Sequence, residues 1–167
     1  MGRLPTLVVV SGPPGAGKTT LAHALATAVG CPAICRDEIK EGMVHGVDDY
    51  VPALADESAF RTLETFFGVL RLLLSAGVTV VAEAAFQDRL WRPGLEQLAP
   101  LARVKVVQCQ VEPDIARRRM GERRRAAHAD GQWVVREFER VALDVPEFWV
   151  DTTDGYELDA VVAFVNG

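Results

Sequence analysis

The chain has 167 residues, 49% hydrophobic and 25% charged, with 18 Lys and Arg against 23 Asp and Glu for a formal net charge of −5. That length suits one domain with its own core, and the composition excludes a disordered, collagen-like or coiled-coil chain. The acidic balance argues against a protein wrapped along a nucleic-acid backbone, which shows as a basic excess.

The cationic charge is concentrated. Lys18, Lys40 and Lys105 are the only lysines, and six arginines crowd into residues 117–125, where planar guanidinium forks suit phosphate or carboxylate. Cys31, Cys35 and Cys109 are too few, and odd in number, for a secreted disulfide framework and read as buried thiols. There is no charged leader with an apolar core and no apolar run of membrane-spanning length, so a cytoplasmic location without a membrane partner is expected.

In chain order, Leu7-Val8-Val9-Val10 reads as a strand covered on both faces. Gly12-Pro13-Pro14-Gly15-Ala16-Gly17-Lys18-Thr19 then satisfies G-x-x-x-x-G-K-[ST], and residues 20–26 read as a helix with Leu21, Leu25 and Val29 on one side. Strand, glycine-rich loop and helix in that order make a phosphate-binding loop. Its glycines let backbone N–H groups turn inward on phosphate oxygens, and the positive end of the helix reinforces the anion site. Gly12, Pro13, Pro14, Gly15, Ala16, Gly17, Lys18, Thr19 and Thr20 are thus the candidate nucleotide-binding set. Lys18 is expected to act in catalysis at the β- and γ-phosphates, and the Thr19 hydroxyl to ligate Mg²⁺. ATP and Mg²⁺ are the implied cofactors.

On these residues the chain resembles the P-loop kinases. Within them it is most similar to the group of zeta toxins, chloramphenicol phosphotransferase, gluconate kinase and the kinase domain of polynucleotide kinases. The loop wording alone is shared with AAA+ ATPases. The resemblance implies a three-layer α/β fold of the P-loop NTPase type. Its sheet would have five mainly parallel strands with helices on both faces, and a small Arg-rich helical lid near residues 113–131, in one domain over residues 1–167.

After the break at Gly30-Cys31-Pro32, residues 33–36 suit a second buried strand with Asp37 at its C-terminal end. Ligands of open α/β sheets bind beyond the carboxyl ends of the strands, so a carboxylate there can take a proton from an acceptor hydroxyl. Arg36-Asp37-Glu38-Ile39-Lys40 is similar to the Arg-Asp segment of related kinases, which implies Asp37 as general base and Arg36 as a substrate contact. The competing reading makes Asp37 a helix N-cap, with Glu38 and Glu41 in the first turn. Residues 41–55 lack periodicity and read as a loop or broken helix over the acceptor. Asp56 is expected to cap a helix over residues 57–75 whose core stripe is Phe60, Leu63, Phe67, Leu70 and Leu74.

Gly77 ends that helix, and residues 78–82 form the third strand, closed by Glu83. By resemblance Glu83 stands at the Walker B position, where relatives more often carry Asp. Its extra methylene favours a water-mediated metal contact or a contact to the acceptor. Asp88 is a plausible cap for a helix over 89–98, with Arg89 and Arg92 on a solvated face. Residues 104–111 form the fourth strand, and Glu112-Pro113-Asp114 opens the next helix.

Arg117-Arg118-Arg119-Met120-Gly121-Glu122-Arg123-Arg124-Arg125 fits the family's Arg-x-x-x-Arg lid, which selects Arg119 and Arg123 as catalytic, with Arg124 beside them. At i, i+4 on one helix they would face a single ligand and stabilise charge spreading over the transferred phosphoryl group. Residues 126–131 read as the lid tip and His128 as a surface residue. Residues 147–150 form the fifth strand. By resemblance the turn at 151–156, with Thr152, lies beside the adenine, and a helix over 157–165 follows.

The expected function is ATP-dependent transfer of the γ-phosphoryl group to a hydroxyl of a small molecule or nucleotide-like acceptor, with Arg36, Asp37 and Glu83 at the acceptor. Two alternatives stand beside it. A nucleic-acid end kinase is disfavoured by the acidic charge and the lack of aromatic interleaving in the arginine run. An AAA+-like ATPase switch would carry two adjacent acidic residues at Walker B, whereas Ala84-Ala85 follows Glu83. Among acceptors gluconate is disfavoured, because Asp37-Glu38-Ile39-Lys40 replaces the Asp-x-Leu-His of gluconate kinases.

Overall fold

The computed structural model describes residues 2–51, 57–123 and 138–167. Its elements run β1 (Thr6–Ser11), α1 (Lys18–Val29), β2 (Ala33–Cys35), α2 (Arg36–Val44), α3 (Glu57–Ser75), β3 (Val80–Glu83), α4 (Asp88–Leu98), β4 (Arg103–Gln110), α5 (Pro113–Glu122), β5 (Glu147–Asp151) and α6 (Leu158–Asn166). A short 3₁₀ turn, Ala99–Leu101, joins α4 to β4. The five strands form one sheet in the order β2-β3-β1-β4-β5, and every pairing is parallel. The expected α/β architecture is the one observed.

Alternation along β1 explains the layers. Leu7 and Val9 point to one face, where they meet Phe66, Leu70, Trp91, Leu95 and Leu98 of α3 and α4. Val8 and Val10 point to the other, against Leu21 and Leu25 of α1 and Val161 and Val165 of α6. With helices on both faces the central strand has no solvated side, so its sequence is apolar throughout. No helix among the described residues is long and apolar enough to cross a membrane.

Several boundaries and roles differ from expectation. Helix α1 begins at Lys18, so the P-loop lysine and threonine stand in its first turn. Residues 36–44 form helix α2 directly after β2, so of the loop or broken helix expected from residue 41 the helical part runs on to Val44. Cys35 occupies the N-cap position and Asp37 lies inside the first turn, so Asp37 is not the cap. Asp88 is likewise the first residue of α4 rather than its cap. Its carboxylate accepts from Arg92 Nε at 3.0 Å and from the Ala142 backbone N–H at 2.9 Å, tying the segment before β5 to α4.

The core stripe of α3 is rotated. Phe66 is fully buried while Phe60 is 64% exposed, and Thr62, Leu70 and Leu74 complete the buried line. Phe66 sits at the hub of an aromatic cluster, edge-on to Trp91 at 5.6 Å between centroids, with Phe86 4.8 Å from the same indole. The helix carries enough apolar residues for two adjacent stripes, and this cluster selects between them. Asp56 and the lid tip at 126–131, with Arg124, lie outside the described residues.

Candidate active site

The carboxyl ends of β1, β2 and β3 meet at one point because their register is strictly parallel. Val10 of β1 pairs with Glu83 of β3, and Glu83 pairs in turn with Cys35 of β2. The phosphate loop leaves β1 there, α2 leaves β2 there, and the Walker B candidate closes β3. Residues 19, 37 and 83, distant in sequence, are thereby collected at one edge.

The loop is shaped by backbone that side chains cannot follow. A Cβ on Gly15, whose φ is +79°, would stand 2.5 Å from the Ala116 carbonyl oxygen of α5. One on Gly12 would stand 2.5 Å from the Cys109 carbonyl oxygen of β4. Glycine at these two places lets the loop lie directly against β4 and α5. Lys18 is buried and its Nζ donates to the Pro13 carbonyl oxygen at 2.9 Å, which bridges the loop. Pro13, Pro14, Gly15 and Gly17 are half-buried, Ala16 is buried, and Thr20 is exposed.

Thr19 donates from Oγ1 to Glu83 Oε2 at 3.2 Å. Glu83 is only 3% exposed, and burial raises its carboxyl above the ordinary range. The Lys18 charge opposes that shift, and nearby Asp37 adds to it. Two hard oxygens at this separation match neighbouring positions in an octahedral Mg²⁺ shell. The donor set therefore fits Mg²⁺, with Thr19 and Glu83 as the residues that would hold it or its waters. Asp37 lies beside this pair, with its carboxylate 2.9 Å from Arg36 Nη1. Arg36 Nε is buried and has no hydrogen-bond partner among the described residues.

Arg119 faces the other rim of the loop. Its Nη2 donates to the Thr152 carbonyl oxygen at 2.7 Å, and its Nη1 reaches the Gly15 carbonyl oxygen at 3.3 Å. Thr152, also buried, donates from Oγ1 to the Ala16 carbonyl oxygen at 2.7 Å. These bonds bind α5, the turn after β5 and the phosphate loop into one unit. Arg119 is thus brought to the loop and to Thr152.

Arg123 is not on the same helix face. Helix α5 ends at Glu122, and Arg123 is extended, with φ −81° and ψ 116°. Gly121 and the mutual repulsion of clustered arginines weaken the last turn, so the expected i, i+4 pair does not form.

Sequence reasoning did not find Cys35 as a site neighbour. The Cys35 thiol hydrogen-bonds Glu83, and burial, with Glu83 and Glu38, pushes that thiol far up. Lys40 is buried on α2, with its Nζ 6.0 Å from the centre of the Tyr50 ring. Pairing of Cys35 with Glu83 required the sheet register.

No curated protein matches the sequence significantly. A family described as AAA domain (AAA_33) matches residues 7–142. Among solved structures, a proposed kinase from Chloroflexus aurantiacus J-10-fl superposes with a TM-score of 0.85 at 24% identity, covering 98% of both chains. A sugar kinase from Janibacter sp. HTCC2649 gives 0.67 at 22% identity over 95% of this chain and 91% of its own. The APS kinase CysC of Mycobacterium tuberculosis, in complex with AMPPNP and APS, gives 0.65 at 15% identity over 99% and 100%. By the match over residues 7–142 the chain belongs to the AAA domain family, and it has the fold of the P-loop kinases.

Proposed function

We propose that the protein is an ATP-dependent kinase that transfers the γ-phosphoryl group to a hydroxyl of a small-molecule or nucleotide-like acceptor, within one domain and in the cytoplasm. The observation that carries this reading is the convergence of a phosphate loop, the Thr19–Glu83 oxygen pair and the Asp37 carboxylate at one edge of the sheet. A hydrolytic switch has no need of a second carboxylate at the β2 end. Kinase chemistry uses one to receive the acceptor proton.

In this mechanism the phosphate loop backbone and Lys18 hold the β- and γ-phosphates. Bound Mg²⁺ would offset charge on those phosphates. Asp37 takes the acceptor hydroxyl proton as its oxygen bonds to the γ-phosphorus, the bond to the β,γ-bridging oxygen breaks, and ADP leaves. Arg36 orients Asp37 and meets the acceptor. Arg119 and Thr152 line the nucleotide side, and Arg123 would stabilise charge on the transferring phosphoryl group. The net charge of −5 favours a small acceptor over a nucleic acid.

ADP release with ATP and Mg²⁺, alone and against a panel of sugars, nucleosides and hydroxyl-bearing antibiotics, tests the reading. One acceptor class is expected to stimulate release. Asp37→Asn should lower the stimulated rate by roughly 10²–10⁴-fold, and Lys18→Ala should abolish it. Acceptor-independent turnover that survives Asp37→Asn would replace the kinase reading with the ATPase switch.

A further inference from the structure

Beside the phosphate loop, three side chains of different chemistry converge where α1, β2 and α2 join. His23 of α1 presents Nε2 to Glu38 Oε1 of α2 at 2.7 Å, and the same nitrogen lies 3.7 Å from Sγ of Cys35, the last residue of β2. The three donor atoms all lie within 4.8 Å of one another. One ring nitrogen therefore faces a carboxylate oxygen and a thiol sulfur together. A single proton on Nε2 serves one of them, whereas a cation seated among the three serves all.

We propose that His23, Cys35 and Glu38 form a binding site for a thiophilic divalent cation of the Zn²⁺ class, with a fourth tetrahedral position open to solvent. Imidazole nitrogen, thiolate sulfur and carboxylate oxygen are the donors Zn²⁺ takes, at about 2.0–2.3 Å, so their mutual separations in a tetrahedral shell are roughly 3.3–3.6 Å. The His23–Cys35 distance of 3.7 Å is already close to that range, His23 and Glu38 at 2.7 Å need open by roughly 0.6–0.9 Å, and Cys35 and Glu38, within 4.8 Å, close by up to about 1.2 Å. Cys35 is buried at the end of the sheet and fixed by its pairing with Glu83, while His23 and Glu38 are about half exposed and free to adjust. Their exposure also gives the ion a path from solvent.

Charge and softness agree with this assignment. Neutral imidazole, one thiolate and one carboxylate together balance a divalent cation. Sulfur and nitrogen donors select against Mg²⁺, which keeps this site distinct from the hard-oxygen pair of Thr19 and Glu83. Binding releases the Cys35 thiol proton and waters of the hydrated ion to solvent, and no electrons move.

The test is titration of the full chain with Co²⁺ under excess Mg²⁺, which leaves hard-oxygen sites filled. One equivalent is expected to produce a thiolate-to-cobalt charge-transfer absorption that Zn²⁺ then displaces. Cys35→Ser should lose that absorption. His23→Ala and Glu38→Gln, both at the surface, should each weaken Co²⁺ binding by about tenfold or more, and they carry the test if Cys35→Ser does not fold. No charge-transfer absorption at one equivalent would overturn the proposal. So would an absorption unchanged in Cys35→Ser and His23→Ala, which would place the ion on Cys31 or Cys109. The readout needs no ATP and stands apart from the phosphotransfer reading.

Discussion

Glu83 shows how a single residue trades stability for chemistry. Its carboxyl is buried and shifted upward, so the ionised form that would serve Mg²⁺ is the form the fold disfavours. A carboxyl raised in the folded state contributes stability below the ordinary Glu value of 4.5 and loses it as pH rises through the folded value. Glu83→Gln is therefore expected to raise the melting temperature at neutral pH while suppressing Mg²⁺-dependent turnover. The gain should vanish in acid, where both proteins carry a neutral side chain. Thermal melts at several pH values check this; a lower melting temperature for the variant at pH 7 would contradict it.

Among elements, α3 is the one whose orientation depends on its neighbours. Its apolar residues permit more than one buried stripe, and the contact with Phe86 and Trp91 draws Phe66 inward while leaving Phe60 at the surface. Phe66→Ala removes the hub of that cluster and is expected to cost about 3–5 kcal/mol. Phe60→Ser should change stability by no more than about 0.5 kcal/mol. Urea denaturation of the two variants distinguishes them, and equal losses would mean that the stripe is misassigned. Helix α5 teaches a related lesson: its N-terminus follows the Pro113 signal, but its arginine-rich end stops one residue before Arg123.

Across the whole molecule, the phosphate loop is joined to β4, α5 and the turn after β5 through Cys109, Ala116, Arg119 and Thr152. A nucleotide held by the loop would consequently stabilise the fold as a unit. At a hundredfold excess over Kd, ATP with Mg²⁺ should add about 2.7 kcal/mol, or roughly 5–10 °C in melting temperature for a chain of this size. Lys18→Ala should remove most of that shift. A shift that persists in Lys18→Ala would place the nucleotide elsewhere.

The α/β class, the strand–loop–helix around residues 7–29 and the candidate residues Lys18, Thr19, Asp37 and Glu83 are legible in the order of residues alone. Those signals are local: an apolar run, a glycine pattern and a carboxylate at a strand end each act through neighbouring backbone. The meeting of Thr19 with Glu83, the tie of Arg119 to Thr152, and the shared corner of His23, Cys35 and Glu38 emerge with the folded sheet. Strand order and parallel register create those contacts between residues far apart in the chain, and helix faces rotate to fit the packing they meet. Spacing along the sequence carries neither quantity.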